Sequence, residues 1–301
     1  MLPIPVDSPF HPDNEQGYAQ WRHAKLAAYP ALEDMMVEIA DPFNLSSLER
    51  GRIVDLCARS NMALYQVAQG RVEDTALPMA ILKQVMQRLR VDHNEGADAQ
   101  GVSALTLRDD GPFKHYIPYK AQAIQWHTDG YYNEPERTIR GMALHCARQA
   151  EQGGENDLLD HEIMYIRLRD QNPEHIRALM AEDVLTIPAR TNRAGEVVRA
   201  ACVGPVFSVD ANGYLHMRYT ARTVSIAWRE DAATLAAVTA LEAILKHATD
   251  EPYAHHLRMQ PGQGLICNNV LHTRGHFDAA PEGQANRLMY RIRCWDRVDP
   301  A

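Results

Sequence analysis

The sequence predicts a mainly β protein with flanking helices, built on a jelly-roll (double-stranded β-helix) core, and three observations carry that prediction. From about residue 102 onward, short apolar or alternating runs recur at VSALTLR, QAIQWH, GMALHC, DVLTIP, PVFSVD, YLHMRY, GLICNNVLH and RLMYRIRCW, the pattern of eight half-buried or buried strands. Only two helical patterns interrupt them. The first ninety residues, by contrast, read as helices. Many short strands with few long helices fit a sandwich or jelly roll better than a doubly wound parallel sheet.

Taken in order, Ser46 and Glu49 make a capping-box pattern ahead of Ile53, Leu56, Cys57, Leu64 and Val67, with Gly70 as a stop. Pro78 suits a first helical position, and Ile81, Leu82, Val85, Met86 and Leu89 then recur on one helical face. Within the strand-rich region one helix is expected after Asp160 and another from about Ala232 to His247, striped by Leu235, Val238, Leu241 and Leu245. The sequence carries no internal repeat, low-complexity segment or Gly/Ser-rich linker. A single domain over residues 1–301 is therefore expected, a mostly helical part (1–100) packing on the jelly-roll core (101–301) with its helical insertions.

Composition narrows the function. A chain of 301 residues with 46% hydrophobic content can bury a substantial core. Its formal charge of -8 supplies no field for phosphate backbones or anionic lipid, so neither nucleic acid nor a membrane surface is an expected partner. No apolar stretch reaches the roughly 18 residues that span a bilayer. The opening MLPIPVDSPFHPDNEQ lacks the apolar run of a signal peptide, and a cytoplasmic location is expected. The cysteines, Cys57, Cys146, Cys202, Cys267 and Cys294, include no C-x-x-C pair and read as reduced core residues.

Among 14 histidines, His-x-Asp occurs at His11/Asp13, His127/Asp129 and His276/Asp278. The first lies in a proline-rich polar stretch and the third in a turn. Only His127 and Asp129 close a strand, where residues two apart point to one face and Gly130 then lets the backbone turn away. His272 ends the other apolar run that breaks into a turn, GLICNNVLHTRG. Two imidazoles and one carboxylate form a facial triad that leaves positions open on iron(II); zinc is the rival metal, although structural zinc sites favour sulfur or a closed fourth ligand. G-x-S-x-G and G-x-x-x-x-G-K motifs are absent, and His161-Glu162 lacks the second histidine of a zinc protease helix. His255-His256, in a polar stretch, is expected to be exposed.

Over roughly residues 100 to 295 the chain resembles the taurine dioxygenase-like (TauD/TfdA) branch of the Fe(II)/2-oxoglutarate-dependent oxygenases. Four blocks match in order: WHTDG at 126 to 130, GGEND at 153 to 157, NNVLHTR at 268 to 274 and NRLMYRIR at 286 to 293. The resemblance implies Fe(II) and 2-oxoglutarate as cofactors, His127, Asp129 and His272 as metal ligands, and Arg287 as the cation that holds the distal carboxylate of 2-oxoglutarate. Period two places Arg287, Met289, Arg291 and Arg293 on one strand face and Leu288, Tyr290, Ile292 and Cys294 on the other. An inward arginine needs an anionic partner, which such a carboxylate would supply. The family usually has Thr or Ser where Asn156 stands; an amide can still donate to the cofactor.

The resemblance also gives Arg291 to the substrate or its surroundings, and places the YTAR segment from Tyr219 to Arg222 over the pocket with Tyr131 and Tyr132 beside the metal strand. Tyrosines with Arg218, Arg222, Arg291 and Lys120 suit a small anion, whereas tyrosine faces equally suit an alkylammonium. Related halogenases carry a small residue where Asp129 stands, so hydroxylation is expected, with desaturation or oxidative cleavage open. Two other readings remain: a non-catalytic jelly-roll sensor for a metal or small ligand, and an iron oxygenase that draws its electrons from the substrate. The expected partners are a small-molecule substrate and O2, and a homodimer or tetramer is plausible from the resemblance.

Overall fold

The computed structural model describes residues 4–299 apart from 69–71, 95, 112, 114–115, 193, 223 and 225. It is a mixed α/β structure with two compact units: Met1–Tyr29, Trp126–Glu136 and Leu159–Ala254 form one, and Pro30–Gln125, Arg137–Leu158 and His255–Ala301 the other.

The second unit is organised by a six-stranded sheet in the order Met36–Ile39, Met62–Val67, Gln263–Cys267, Gly141–Arg148, Leu288–Cys294 and Ser103–Leu105. Its first two strands correct the expectation that residues before ninety are helical. The Ser46–Glu49 capping box is present, but its helix, Ser47–Ser60, stops at Asn61, which takes a left-handed φ of 57° and donates its N–H to the Cys57 carbonyl. Leu64 and Val67 then lie in a strand. The strand is buried on both faces, and a doubly buried apolar run has no period that separates it from a buried helix. Gly70, the expected stop, lies outside the described residues. The helix Leu77–Val85 starts with Pro78 in its first turn and buries Ile81, Leu82 and Val85.

Across this sheet Tyr65, Gly264, His145 and Tyr290 occupy one cross-strand row. A Cβ on Gly264 would fall 2.2 Å from the Tyr65 ring, so only glycine lets that ring cross to His145, whose Nδ1 lies 3.1 Å from the Tyr65 hydroxyl. Burial holds the pKa of His145 below its ordinary value.

GLICNNVLH, read as one run, is two strands, Gln263–Cys267 and Leu271–Arg274, in different sheets. The break is at Asn269, left-handed at φ 55°, whose side chain donates to the Ile139 carbonyl at 2.7 Å. Asn268 beside it donates to Asn61 Oδ1 and accepts from the Val298 N–H. The Leu271–Arg274 strand sits in a four-stranded sheet in the order Ala254–Leu257, Asn156–Leu159, Leu271–Arg274 and Ile124–His127. His255 in the first of these strands is 6% exposed, against expectation; only His256 turns outward, onto Asp157. Alternation along a strand, rather than the polarity of the segment, decides which of the two is covered.

The first unit contains the helices Glu15–Ala28, His161–Gln171, Pro173–Leu179 and Ala232–Lys246, a three-stranded sheet (Cys202–Gly204, Leu185–Ile187, Ala227–Trp228) and two hairpins. Asp160 caps the His161 helix as its position suggests. Leu235 of the expected stripe is 51% exposed, while Val238, Leu241 and Leu245 are buried. Phe10, Trp21, Tyr165 and Phe207 pack edge to face in its core. Lys25 is buried between Asp160 and Glu162. The five cysteines are buried and form no disulfide. Among the described residues no helix is long and apolar enough to cross a membrane.

Candidate active site

His127 is the last residue of the strand Ile124–His127, and Leu271–Arg274 beside it in the sheet carries His272. One ligand atom from each of His127, Asp129 and His272 lies within 4.8 Å of the others, the one such group among the described residues. His127 Nε2 stands 3.9 Å from Asp129 Oδ1. The His272 Nδ1 is 2.9 Å from the Val270 carbonyl, which can only accept, so Nδ1 donates there and the contact fixes the ring's orientation. Local pairing fixes the His127–Asp129 segment: the Thr128 N–H donates to the Tyr219 carbonyl, the Tyr219 N–H to Thr128 Oγ1 and the Ala221 N–H to the Trp126 carbonyl. Gly130, at φ 70°, turns the chain away immediately afterwards. Two imidazoles and one carboxylate suit iron(II).

A second set of residues is built for an anion. Arg287 is 6% exposed, and among the described residues no carboxylate pairs with it. It immediately precedes the strand Leu288–Cys294, where the ladder is irregular between Leu288 and Met289. Its guanidinium carbon lies 5.2 Å from the Phe277 ring centre, and that of Arg274 lies 5.0 Å from the same ring. Burial pushes the Arg287 pKa down to about 10; burial, then the charges of Arg287 and Arg291, lower that of Arg274 to about 9. The Gly153–Gly154 turn closes over this side. A Cβ on Gly153 would meet the His276 carbonyl oxygen at 2.1 Å, and one on Gly154 would lie 3.2 Å from Arg287 Nε. Arg287, Asn156, Arg258 and Met289 line one small cavity there. The Asn156 amide donates one hydrogen to the Thr273 carbonyl at 2.7 Å, so the sheet fixes its orientation.

The substrate candidates separate. Tyr131 and Tyr132 sit edge to face with ring centres 5.1 Å apart, with Arg222 Nη1 3.3 Å from the Tyr131 hydroxyl and Arg199 over the Tyr132 ring. Tyr219 is 1% exposed, and its backbone braces Thr128. Arg291 is partly exposed on the strand Leu288–Cys294. Arg293, on the same strand face, is buried and paired with Asp92. Lys120 and Arg218 do not fit the role of anion receptors: Lys120 binds Asp109 and the Arg108 carbonyl, and Arg218 donates to the carbonyls of Tyr131, Leu185 and Cys202. Buried cations are satisfied by whichever acceptors fold around them, which residue type alone does not reveal.

The family model described as taurine catabolism dioxygenase TauD, TfdA family matches residues 72–293. The chain belongs to this family. A uridine-5'-phosphate dioxygenase from Amycolatopsis sp. is 30% identical over 172 residues, covering 55% of this chain; the chain spans 60% of that relative's length. A uridine-5'-phosphate dioxygenase from Streptomyces sp. is 30% identical over 195 residues, covering 64% of this chain and 69% of its own length. The non-heme iron oxygenase OrfP, solved with Fe and alpha-ketoglutaric acid, has the same fold: TM-score 0.58 at 16% identity, over 90% of this chain and 89% of that one.

Within this TauD/TfdA member, sequence reasoning missed Arg274, Phe277 and Arg258. Arg258 donates to the carbonyls of Ala150, Glu151 and Gly153 and so ties down the double-glycine turn. Arg274 had a signal in the sequence, since it stands two residues beyond His272 and shares its strand face.

Proposed function

We propose that the chain is an Fe(II)/2-oxoglutarate-dependent dioxygenase that hydroxylates a small anionic metabolite, with His127, Asp129 and His272 holding the metal and Arg287 the distal carboxylate of 2-oxoglutarate. The observation that carries this reading is the presence in one chain of the two-histidine, one-carboxylate cluster and a buried arginine that pairs with no carboxylate among the described residues. We assign the six- and four-stranded sheets to a double-stranded β-helix core.

When bound, iron(II) and 2-oxoglutarate supply the oxidant: the atoms of O2 are divided between succinate and the hydroxylated carbon, two electrons coming from 2-oxoglutarate as CO2 departs and two from the C–H bond. The chain's part is placement. Asp129 keeps one metal ligand anionic, the Val270 carbonyl fixes the His272 ring, and the Thr128–Tyr219 bonds hold the strand end. Arg287 offers a planar two-pronged donor for a carboxylate. Asn156 has a second amide hydrogen for the cofactor.

Phosphate esters are the first substrates to test, because two relatives are uridine-5'-phosphate dioxygenases and because Arg222 and Arg199 flank the Tyr131–Tyr132 pair. Succinate formation under air, with nucleoside 5'-monophosphates, sulfonates and phosphonates added singly, tests both levels. Succinate from 2-oxoglutarate that rises with one compound supports the reading. Bound iron with no 2-oxoglutarate consumption under any condition would leave a sensor or an enzyme that oxidises its substrate without this cofactor.

A further inference from the structure

Arg274 is a buried cation that pairs with no carboxylate among the described residues, and its bonds have one destination. Nη1 donates to the Pro118 carbonyl at 3.0 Å, and Nη2 to those of Lys120 and Gln122 at 2.5 Å each and of Ile117 at 3.4 Å. The Phe277 N–H adds a fifth bond to the same stretch, donating to the Ala121 carbonyl at 3.1 Å. Residues 117–122 lead directly into the strand Ile124–His127. Arg274 itself closes the strand that carries His272. On its other side the segment after Arg274 is zipped to the double-glycine turn, Gly275 N–H to the Glu155 carbonyl at 2.7 Å and Gly154 N–H to the His276 carbonyl at 2.9 Å.

We propose that Arg274 is a positioning residue for the metal site: its guanidinium fixes the lead-in to His127 against the strand of His272, and the Phe277 ring that it shares with Arg287 extends this control to the 2-oxoglutarate anchor. The proposal rests on the metal assignment above. A lysine at 274 keeps the charge but has one nitrogen in place of a fork, and cannot reach four carbonyls spread over six residues. The consequence is a looser ligand set, not a missing ligand. Partners that orient metal ligands typically control metal affinity by ~10–100-fold.

The test uses the full chain as wild type, R274K and R169K. Arg169 is a matched control, since it is 3% exposed and its guanidinium likewise donates to backbone carbonyls, those of Pro9, His11, Pro12 and Asn14. Iron(II) and 2-oxoglutarate dissociation constants are measured anaerobically beside thermal unfolding. Expected is a rise of ~10-fold or more in the iron constant for R274K, with 2-oxoglutarate also weakened, while R169K lowers Tm and leaves both constants within about threefold of wild type. F277L, which keeps the Arg274 bonds, should weaken 2-oxoglutarate and spare iron. R274K binding iron as tightly as wild type would overturn the positioning role alone. Wild type that binds no iron would overturn the metal assignment beneath it. R274Q replaces R274K, with the same expectation, if the lysine variant does not fold.

Discussion

Replacing Arg287 by alanine separates a ligand-binding arginine from a structural one. Removing a buried arginine that is paired with a carboxylate strands that charge, at a cost of about 3–5 kcal/mol in stability. Arg287 has no carboxylate among the described residues, and its burial opposes its charge, pushing its pKa down to about 10. The alanine variant therefore leaves no orphaned anion. It also relieves repulsion on Arg274, against the loss of a contact with Phe277 worth about 0.5–2 kcal/mol. The balance predicts a Tm within a few degrees of wild type. Binding behaves oppositely: truncating one side of a desolvated, hydrogen-bonded charge pair costs about 2–5 kcal/mol, or about 30- to 4,000-fold in the 2-oxoglutarate dissociation constant. R287K, with its charge kept and its fork lost, should fall between. Anaerobic calorimetry on the iron(II) protein reads the constant, and thermal unfolding reads stability. An R287A protein that binds 2-oxoglutarate within threefold of wild type but unfolds many degrees lower would refute the anchor and make Arg287 a structural residue.

Three further outcomes follow from the same geometry. Arg287 binds an anion only while protonated, and its pKa stands near 10, so 2-oxoglutarate affinity should hold steady below that pH and fall as pH rises through it; a pH series of dissociation constants checks this, and R287K should move the break. Lys25→Met leaves Asp160 and Glu162 buried without their shared cation, and should cost about 3–5 kcal/mol by denaturant unfolding. Asn269→Ala loses the bond to Ile139 and puts alanine at a left-handed φ, which together should cost about 2 kcal/mol; Asn269→Gly should recover part of it.

Strands such as Gly141–Arg148 and Leu288–Cys294 were legible because alternating or β-rich runs end at turn residues, whereas the short, partly polar strands Asn156–Leu159 and Ala254–Leu257 were not; the Ser46–Glu49 box and Asp160 cap marked helix starts in plain residue chemistry. The end of the first of those helices was not. Leu64 and Val67 lie at spacings that satisfy a helical stripe as well as a buried strand, and the deciding event is a left-handed asparagine at 61, which a sequence offers without announcing. The residues brought together at the site were legible where spacing carries geometry, as for His127 with Asp129. Lys120 and Arg218 looked like receptors for an anion because a sequence shows a cation's charge and hides its acceptors. Arg274 was hidden for the same reason, since its partners are backbone carbonyls that no residue type identifies.

The most direct test of the central claim is anaerobic titration of the iron(II) protein with 2-oxoglutarate, in wild type and Asp129→Ala, following bound iron and the weak visible charge-transfer band of the chelated cofactor. The expected result is one iron per chain and a saturating band in wild type, with iron binding weakened and hydroxylation lost in D129A. Wild type that binds one iron but gives no band at any 2-oxoglutarate concentration, or D129A that keeps substantial hydroxylation, would contradict it.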